Sequence, residues 1–335
     1  MVFVRHAVPG EQVVLEITEG TEGDRFWRGD AVEVLSASPD RVRAPCPVAG
    51  PGLFGGCDFQ HVDLARQRVL KADVVREQLS RLAGLDLDVT VEAVPGDVAG
   101  LRWRTRQRYV ALPDGRKGMR KHRSHDVVPV DDCLLEAPAS PSHSLLGHDF
   151  SVADDGFWQV HPGAPRVLVE TVLDFLEPQP GESVLDLYAG VGLFARFLAD
   201  AGGPGSRIVA VEADRTACEH ARLNLGLDDV ERRSVEVAHG PVARVLAAAY
   251  DEPFDLVVLD PPREGARRKV VEQVVDRAPR AAAYVACDPA ALARDVAIFA
   301  EHGYRLQRLR ALDLFPMTSH VEVVAHLVKG DSGLR

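Results

Sequence analysis

The sequence lacks the features that would place the protein at a membrane or outside the cell. No apolar run in the 335 residues reaches the ~18 that a membrane-spanning helix needs. Residues 1–6 lack the apolar core and cleavage site of a signal peptide. There are only 5 cysteines, an odd and scattered set that argues against a disulfide framework. These absences predict a soluble, cytoplasmic protein without a membrane partner.

Positive charge is scarce overall but concentrated locally. The net charge is −11 at pH 7, yet nine arginines and lysines fall within residues 102–123, around Trp103 and Tyr109. The alternating Arg102, Arg104, Arg106 and Arg108 predict one face of a strand that meets several phosphates along a nucleic-acid backbone, with a solvated sheet face as the alternative. We predict nucleic-acid contacts at the following residues: Arg104, Arg106, Arg120, Arg123 and Phe157.

The order of segments predicts an α/β fold. Residues 12–17 and 31–35 read as strands of a small β module, and residues 64–82 read as a helix. From residue 183 onward, short apolar strands at 184–187, 208–211, 235–238, 256–259 and 283–286 alternate with helices, and strands at 305–314 and 321–328 follow. This alternation is typical of a doubly wound parallel sheet, here with a final antiparallel hairpin. Its ligand should lie at the carboxyl ends of the strands.

Cys287 stands at the predicted start of a helix. Asp288 reads as the N-cap and Pro289 as the first helical residue. The positive end of a helix lowers a thiol pKa, so we expect the pKa of Cys287 to lie below its free value of roughly 8.5. Glu322 lies in a strand-like run and can face the same end of the sheet. The pair offers a nucleophile and a base, although buried cysteines often serve only as small apolar groups.

A glycine-rich loop predicts a nucleotide site. Asp186 closes one strand, Gly190 and Gly192 precede a helix, and Glu212 ends the next strand, where a carboxylate can accept from both ribose hydroxyls. The spacing also satisfies the dinucleotide fingerprint, which keeps an NAD(P)-dependent dehydrogenase open. The carboxylate of Asp186 can hold the amino group of a methionine moiety, and Asp260 begins an Asp-Pro-Pro-Arg motif. These two features favour S-adenosylmethionine.

The sequence resembles the RNA (uracil-5-)methyltransferases, which make 5-methyluridine in tRNA or 23S ribosomal RNA. The following motifs carry the resemblance, in this order along the chain: residues 157–160, 186–192, 211–214, 260–263, the Cys287 motif and 318–322. It implies a class I methyltransferase fold in which Gln159, Tyr188, Glu212 and Asp260 contact S-adenosylmethionine. It also implies that Cys287 is the nucleophile and Glu322 the proton-abstracting base. If these two did not face one pocket, a non-catalytic RNA-binding protein on this fold would be favoured instead.

The resemblance also implies three regions and a possible iron–sulfur site. It predicts a partial OB-like β module over residues 1–44, a central α+β RNA-binding region over 45–145 and a Rossmann-like methyltransferase domain over 146–335. Many relatives hold a four-iron cluster with four cysteines, whereas here Phe54 replaces the second of the four positions beside Cys46, Cys57 and Cys133. Three thiols with an apolar fourth position predict an empty or degenerate site and argue against zinc.

Overall fold

The computed structural model describes residues 1–97, 99–138, 142–227 and 234–330. Their contacts form two units. The first unit comprises Met1–Lys71, Gly96–Pro141 and Phe315–His320, and the second comprises Ala72–Pro95, Ser142–Leu314 and Val321–Arg335. The three-part division expected from the sequence stays a prediction, and residues 331–335 at its end lie outside the described part. Within the described ranges, no helix combines the length and apolar character that crossing a membrane requires.

The strands and helices are numbered in chain order. The strands are β1 Val2–Arg5, β2 Gln12–Glu19, β3 Trp27–Ser36, β4 Val91–Glu92, β5 Val110–Ala111, β6 Lys117–Arg120, β7 Val127–Pro129, β8 Ser144–Leu145, β9 His148–Asp149, β10 Ser183–Leu187, β11 Arg207–Glu212, β12 Val235–His239, β13 Leu256–Leu259, β14 Ala281–Ala286, β15 Tyr304–Leu312 and β16 Glu322–Lys329. The helices are α1 Leu64–Ala83, α2 Ala164–Leu176, α3 Leu193–Gly202, α4 Arg215–Leu225, α5 Val242–Ala248, α6 Arg267–Asp276 and α7 Pro289–Glu301.

The second unit is built on one large sheet with the strand order β12-β11-β10-β13-β14-β16-β15-β4. Neighbours from β12 to β14 pair in parallel, whereas β16 pairs antiparallel with both β14 and β15. Fully buried side chains on β10, β13 and β14, such as Leu185, Val257 and Tyr284, belong to its core. The doubly wound α/β prediction and the antiparallel hairpin are confirmed. The strand order reverses between β10 and β13, which is where such sheets bind ligands.

The first unit contains two small sheets. In one, the order is β1-β3-β2, with β1 parallel and β2 antiparallel to β3. The other is the antiparallel series β5-β6-β7. The OB-like character of the β1–β3 module stays a prediction.

The predicted strand over residues 102–108 is wrong. Arg102 adopts a left-handed backbone with φ 59°, which interrupts an extended run. Its guanidinium pairs with Asp132, while the side chain of Trp103 is buried and meets Phe315 edge-on at 6.2 Å. The Nε of Arg104 donates to the carbonyl of Arg106. The arginines therefore do not share one strand face.

Candidate active site

The loop after β10 has a backbone suited to close ligand approach. Tyr188, Gly190 and Gly192 have φ values of 64°, 55° and 84°, in the left-handed region that glycine tolerates best. A Cβ added at Gly190 would meet no atom within 4 Å, so open space lies beside this backbone. Tyr188 is a non-glycine residue in this region, a form of strain that clusters at ligand sites.

Two carboxyls lie beside this loop at the strand ends, that of the buried Asp186 and that of the partly buried Asp260. Asp186 is fully buried, and its Oδ2 accepts a 2.8 Å hydrogen bond from the Ala195 amide. Its Oδ1 is buried and has no hydrogen-bond partner among the described residues. Burial raises the pKa of Asp186 and that of Asp260 to about 7. A buried carboxylate costs free energy unless it accepts hydrogen bonds or pairs with a cation. The site therefore fits a positively charged ligand such as S-adenosylmethionine.

Glu212, at the end of β11, is held in place by backbone amides. Its Oε2 accepts from Gly190 at 2.9 Å and its Oε1 from Asp214 at 2.7 Å. Each carboxylate oxygen can accept a second hydrogen bond. The side chain is thus fixed beside the loop and still able to accept from the two hydroxyls of a ribose.

The pairing of β14 with β16 brings Cys287 and Glu322 together. Ala286 at the end of β14 pairs with Val323 near the start of β16. The next residues along the two antiparallel strands are Cys287 and Glu322, and the Glu322 carboxyl lies near enough to the Cys287 thiol to raise its pKa. Glu322 is 4% exposed and Cys287 is half-buried. A thiol and a carboxyl therefore lie at the ligand-binding end of the sheet.

The helix after Cys287 begins where the sequence predicts, but the pKa of the Cys287 thiol is not lowered as expected. The Asp288 side chain caps α7 by accepting from the Ala291 amide at 2.7 Å. Burial, and then the carboxyl of Glu322, raise the pKa of Cys287 to about 11, against an opposing effect of Arg263. The expectation of a lowered pKa is wrong for the ligand-free protein. Desolvation is the largest of the effects that act on this thiol.

Glu322 has the same tendency to stay protonated. Burial, and then the neighbouring Asp260, raise its pKa well above the ordinary value for a glutamic acid. For both the thiol and the carboxyl, the surroundings therefore shift the pKa in the direction that favours the protonated form. A nearby positive charge favours the ionised form of each group, so a cationic ligand would promote proton release from this pair.

Two further predicted site residues lie in the segment before α2. Gln159 is half-buried and Phe157 is 62% exposed. The neighbouring Trp158 is buried and packs against Phe150 and His143, with ring centroids 5.3 and 5.2 Å apart. Trp158 is therefore a packing residue, whereas the ring of Phe157 is available for stacking.

Sequence reasoning missed the anchor of the loop that carries Asp260 and Arg263. The Tyr284 hydroxyl donates to Asp295 Oδ2 at 2.5 Å, and the Ala266 amide donates to the same oxygen at 2.8 Å. A Cβ at Gly265 would lie 2.6 Å from that oxygen, so only glycine fits there. The available signal was an aspartate within the apolar run of α7, because a buried carboxyl requires partners.

The arginines predicted to contact RNA all lie in the first unit. Arg104 and Arg106 are half-buried, whereas Arg120 and Arg123 are exposed. A guanidinium nitrogen of Arg120 lies 3.1 Å from His125 Nδ1, and Arg123 pairs with Glu19. Arg120 and Arg123 are therefore more accessible to a phosphate than the other two.

The three cysteines of the predicted degenerate cluster site do not fit a four-iron cluster. Cys46, Cys57 and Cys133 are buried, and burial, followed by the other two thiols, raises the pKa of Cys57 to about 12. Gln107 Nε2 donates to Cys133 Sγ at 3.1 Å, so this sulfur already has a partner. The ring of Phe54 covers Gly56 so closely that a Cβ there would lie 2.5 Å from it. The described residues hold no cluster of three His, Cys, Asp or Glu that could bind a metal ion.

We predict that the protein purified without oxygen holds far less iron than the four atoms of a full cluster, because three cysteines leave one of the four ligand positions unfilled and Phe54 offers no ligand. Phe54→Cys supplies the missing thiol and should increase bound iron and sulfide after anaerobic reconstitution. Leu53→Cys, which adds a thiol one position earlier, is the matched control and should not. Near-stoichiometric cluster in the unaltered protein would contradict this interpretation.

Comparison with known proteins agrees with this site. The family model "Methyltransferase small domain" matches residues 164–283, and "tRNA (Uracil-5-)-methyltransferase" matches residues 242–330, which include Cys287 and Glu322. A protein of Streptomyces avermitilis described as an uncharacterized RNA methyltransferase is 42% identical, over 100% of this chain and 94% of its own length. The chain belongs to the RNA (uracil-5-)methyltransferase family. This membership makes it an enzyme, confirms S-adenosylmethionine as the cofactor and shows that the dehydrogenase interpretation is wrong.

More distant members of the family and a solved structure extend the comparison. The 23S rRNA (uracil(1939)-C(5))-methyltransferase of Shewanella sp. strain MR-4 is 28% identical, over 97% of this chain and 90% of its own length. The crystal structure of Pyrococcus abyssi tRNA (uracil-54, C5)-methyltransferase in complex with S-adenosyl-L-homocysteine superposes with a TM-score of 0.71 at 22% identity, covering 98% of this chain and 95% of that one. This likeness confirms the class I methyltransferase fold.

Proposed function

We propose that the protein methylates C5 of a uridine in structured RNA, either tRNA or 23S ribosomal RNA, through a covalent adduct between Cys287 Sγ and C6 of the base. Glu322 is the group that accepts the C5 proton. The observation that carries the proposal is the β14–β16 register, whose last pair, Ala286 and Val323, directly adjoins Cys287 and Glu322, together with the effect of the Glu322 carboxyl on the pKa of the Cys287 thiol.

The cofactor would be held by the residues around the loop after β10. Asp186 Oδ1 has no hydrogen-bond partner within the described ranges and suits the ammonium group of the methionine moiety, while Glu212 suits the ribose hydroxyls. Tyr188 and Gly190 shape the loop, and Gln159 and Asp260 complete the proposed set of contacts. Bound S-adenosylmethionine supplies an electrophilic methyl group.

The chemistry requires a nucleophile because C5 of uracil is too weakly nucleophilic to take a methyl group directly. The thiolate of Cys287 forms a bond to C6, and the displaced electron pair makes C5 an enolate carbon that can take up the methyl group. Glu322 then removes the proton from C5. The electrons of that C–H bond restore the C5–C6 double bond, and the S–C6 bond breaks to regenerate the thiolate.

Both groups must be ionised for this sequence to run. The ligand-free site disfavours ionisation because it is buried and holds several acids. The guanidinium of Arg263 acts in the opposite direction on Cys287. The positive charge of the methyl donor would act in the same direction, so ionisation of the pair would be coupled to cofactor binding.

The RNA would deliver its target base by extrusion from the stack, because a stacked pyrimidine cannot present C6 to a thiol. Phe157 is exposed and can stack on an extruded or neighbouring base. Arg120 and Arg123 can bind phosphates, with Arg104 and Arg106 as weaker candidates because they are less exposed. The named relatives act on 23S rRNA and on tRNA, so both classes are tested.

The proposal predicts methyl transfer coupled to loss of the C5 proton. Unmodified tRNA and 23S transcripts made with [5-³H]uridine are incubated with the protein and S-adenosylmethionine. We expect one of them to release one tritium for each 5-methyluridine that nucleoside mass spectrometry detects. A transcript with 5-methyluridine already at the target is the control. Methylation of a ribose or of another base, or no transfer to either RNA class, would contradict the proposal.

A further inference from the structure

The first unit contains a cavity of about 710 Å³ whose lining includes none of the residues proposed to bind the cofactor or to react with the target uridine. It is lined by β1, the end of β2, the start of β3 and the segment that follows β6. Its volume lies within the range of small-molecule sites and is on the order of one or two nucleotides. We call it the β1–β6 groove. Phe3, Arg5, Arg28, Lys121 and Arg123 are among its lining residues.

An exposed aromatic ring stands at this groove. Phe3 is 53% exposed and meets Phe26, which is 42% exposed, edge-on with centroids 5.5 Å apart. The guanidinium of Arg28 lies 4.8 Å from the Phe26 ring centroid. Exposed aromatic rings next to arginines are the platform on which single-stranded nucleic acid stacks its bases.

Arginines of the groove form ion pairs with carboxylates of the same unit. Glu19 accepts from Arg28 at 2.9 Å and also pairs with Arg123, so one exposed carboxylate restrains two arginines. Arg5 pairs with Asp58 at 2.9 Å, and Asp30 also lines the groove. An incoming phosphate can replace Glu19 between the two arginines, because exposed ion pairs are weak.

The histidines of the groove do not add to its charge. Burial lowers the pKa of His6, and it lowers the pKa of His61 to about 4. Burial also lowers the pKa of His122. At neutral pH the positive charge of the groove therefore comes from Arg5, Arg28, Lys121 and Arg123.

We propose that the β1–β6 groove binds a single-stranded segment of the RNA substrate, with one base stacked on Phe3 and a phosphate between Arg28 and Arg123. This inference rests on the proposed function for the class of ligand. The bound nucleotides are distinct from the uridine that meets Cys287. Glu19 acts as an internal competitor that limits the affinity of this groove.

The test measures RNA binding by fluorescence anisotropy without methyl donor, using a labelled single-stranded RNA of about ten nucleotides and an unmodified 23S fragment. Phe3→Leu keeps an apolar side chain but removes the aromatic face, and should weaken binding by about five- to a hundred-fold. Glu19→Gln releases two arginines, so it should tighten binding several-fold and steepen its dependence on salt. A gain of affinity cannot come from misfolding.

Two matched variants serve as controls. Glu77→Gln releases Arg81 from an equally exposed ion pair outside the groove, and Leu35→Ala removes an exposed apolar side chain from β3. Neither should change affinity. If Phe3→Leu and Glu19→Gln bind RNA as the unaltered protein does, the groove proposal is overturned even when methyl transfer is intact. RNA binding that follows the expected pattern without uridine methylation would instead overturn the proposed function alone.

Discussion

Replacing Cys287 by alanine should reduce methyl transfer by at least about a thousand-fold, because the variant cannot form the bond to C6 that activates C5. Binding of S-adenosylmethionine should be retained, since Asp186 and Glu212 are unchanged. The measurement is single-turnover transfer of labelled methyl groups to RNA, with cofactor binding followed by calorimetry. Transfer that survives the substitution would exclude the covalent mechanism.

Glu322→Gln should fail at a later step and leave a different product. The thiolate can still add to C6 and C5 can still take up the methyl group, but the C5 proton is not removed. A covalent protein–RNA adduct should therefore accumulate, detectable by denaturing gel electrophoresis. Glu301→Gln, an exposed site near the end of α7, is the control and should leave turnover unchanged. If Glu322→Gln turns over normally, Glu322 is not the base.

Asp186→Asn should weaken cofactor binding by at least about a hundred-fold while making the ligand-free protein more stable. One oxygen of the carboxylate is buried and has no hydrogen-bond partner in the part of the chain that the structure describes, so its negative charge is costly until a cationic ligand binds. Asparagine keeps an oxygen that can accept from the Ala195 amide but carries no charge. The expected gain in the free energy of unfolding is on the order of 2 kcal/mol at pH 8.

The gain should depend on pH in a defined direction. Burial raises the folded pKa of Asp186 from 3.8 to about 7. The folded state therefore binds its proton more tightly than the unfolded state, so this group's stabilising contribution is present at low pH and is lost as pH rises through about 7. Urea unfolding at about pH 5 and pH 8 should show the stabilising effect of asparagine mainly at the higher value. Asp73→Asn, at an exposed site on α1, is the control. An equal loss of stability at both pH values would contradict the account.

Much of the second unit follows from local sequence. The strand at 256–259 matches the prediction residue for residue, and α7 begins at Pro289 behind its Asp288 cap as expected. Apolar runs, caps and glycines act over a few residues, so they can be read without the fold. The strand predicted from the alternating arginines of 102–108 is absent, because an alternating pattern does not exclude a left-handed backbone at a residue such as Arg102.

The properties of the site that depend on distant contacts could not be obtained in this way. The pKa of Cys287 is set by burial and by Glu322, which is 35 residues away in the sequence and adjacent only through the β14–β16 register. The hydrogen bonds that hold the Asp260 loop likewise depend on contacts between distant segments, because Tyr284 lies on β14, Asp295 on α7 and Ala266 at the end of the loop. A helix start is visible in sequence, whereas desolvation is a property of the packed molecule.

The covalent step can be observed directly with RNA that carries 5-fluorouridine at the target, because fluorine at C5 cannot be removed as a proton. In the presence of S-adenosylmethionine the protein should become trapped on this RNA, and peptide mass spectrometry should find the methylated fluoropyrimidine on Cys287. Cys287→Ala should give no adduct. Absence of an adduct with the unaltered protein under conditions where it methylates ordinary RNA, or an adduct on another residue, would contradict the mechanism.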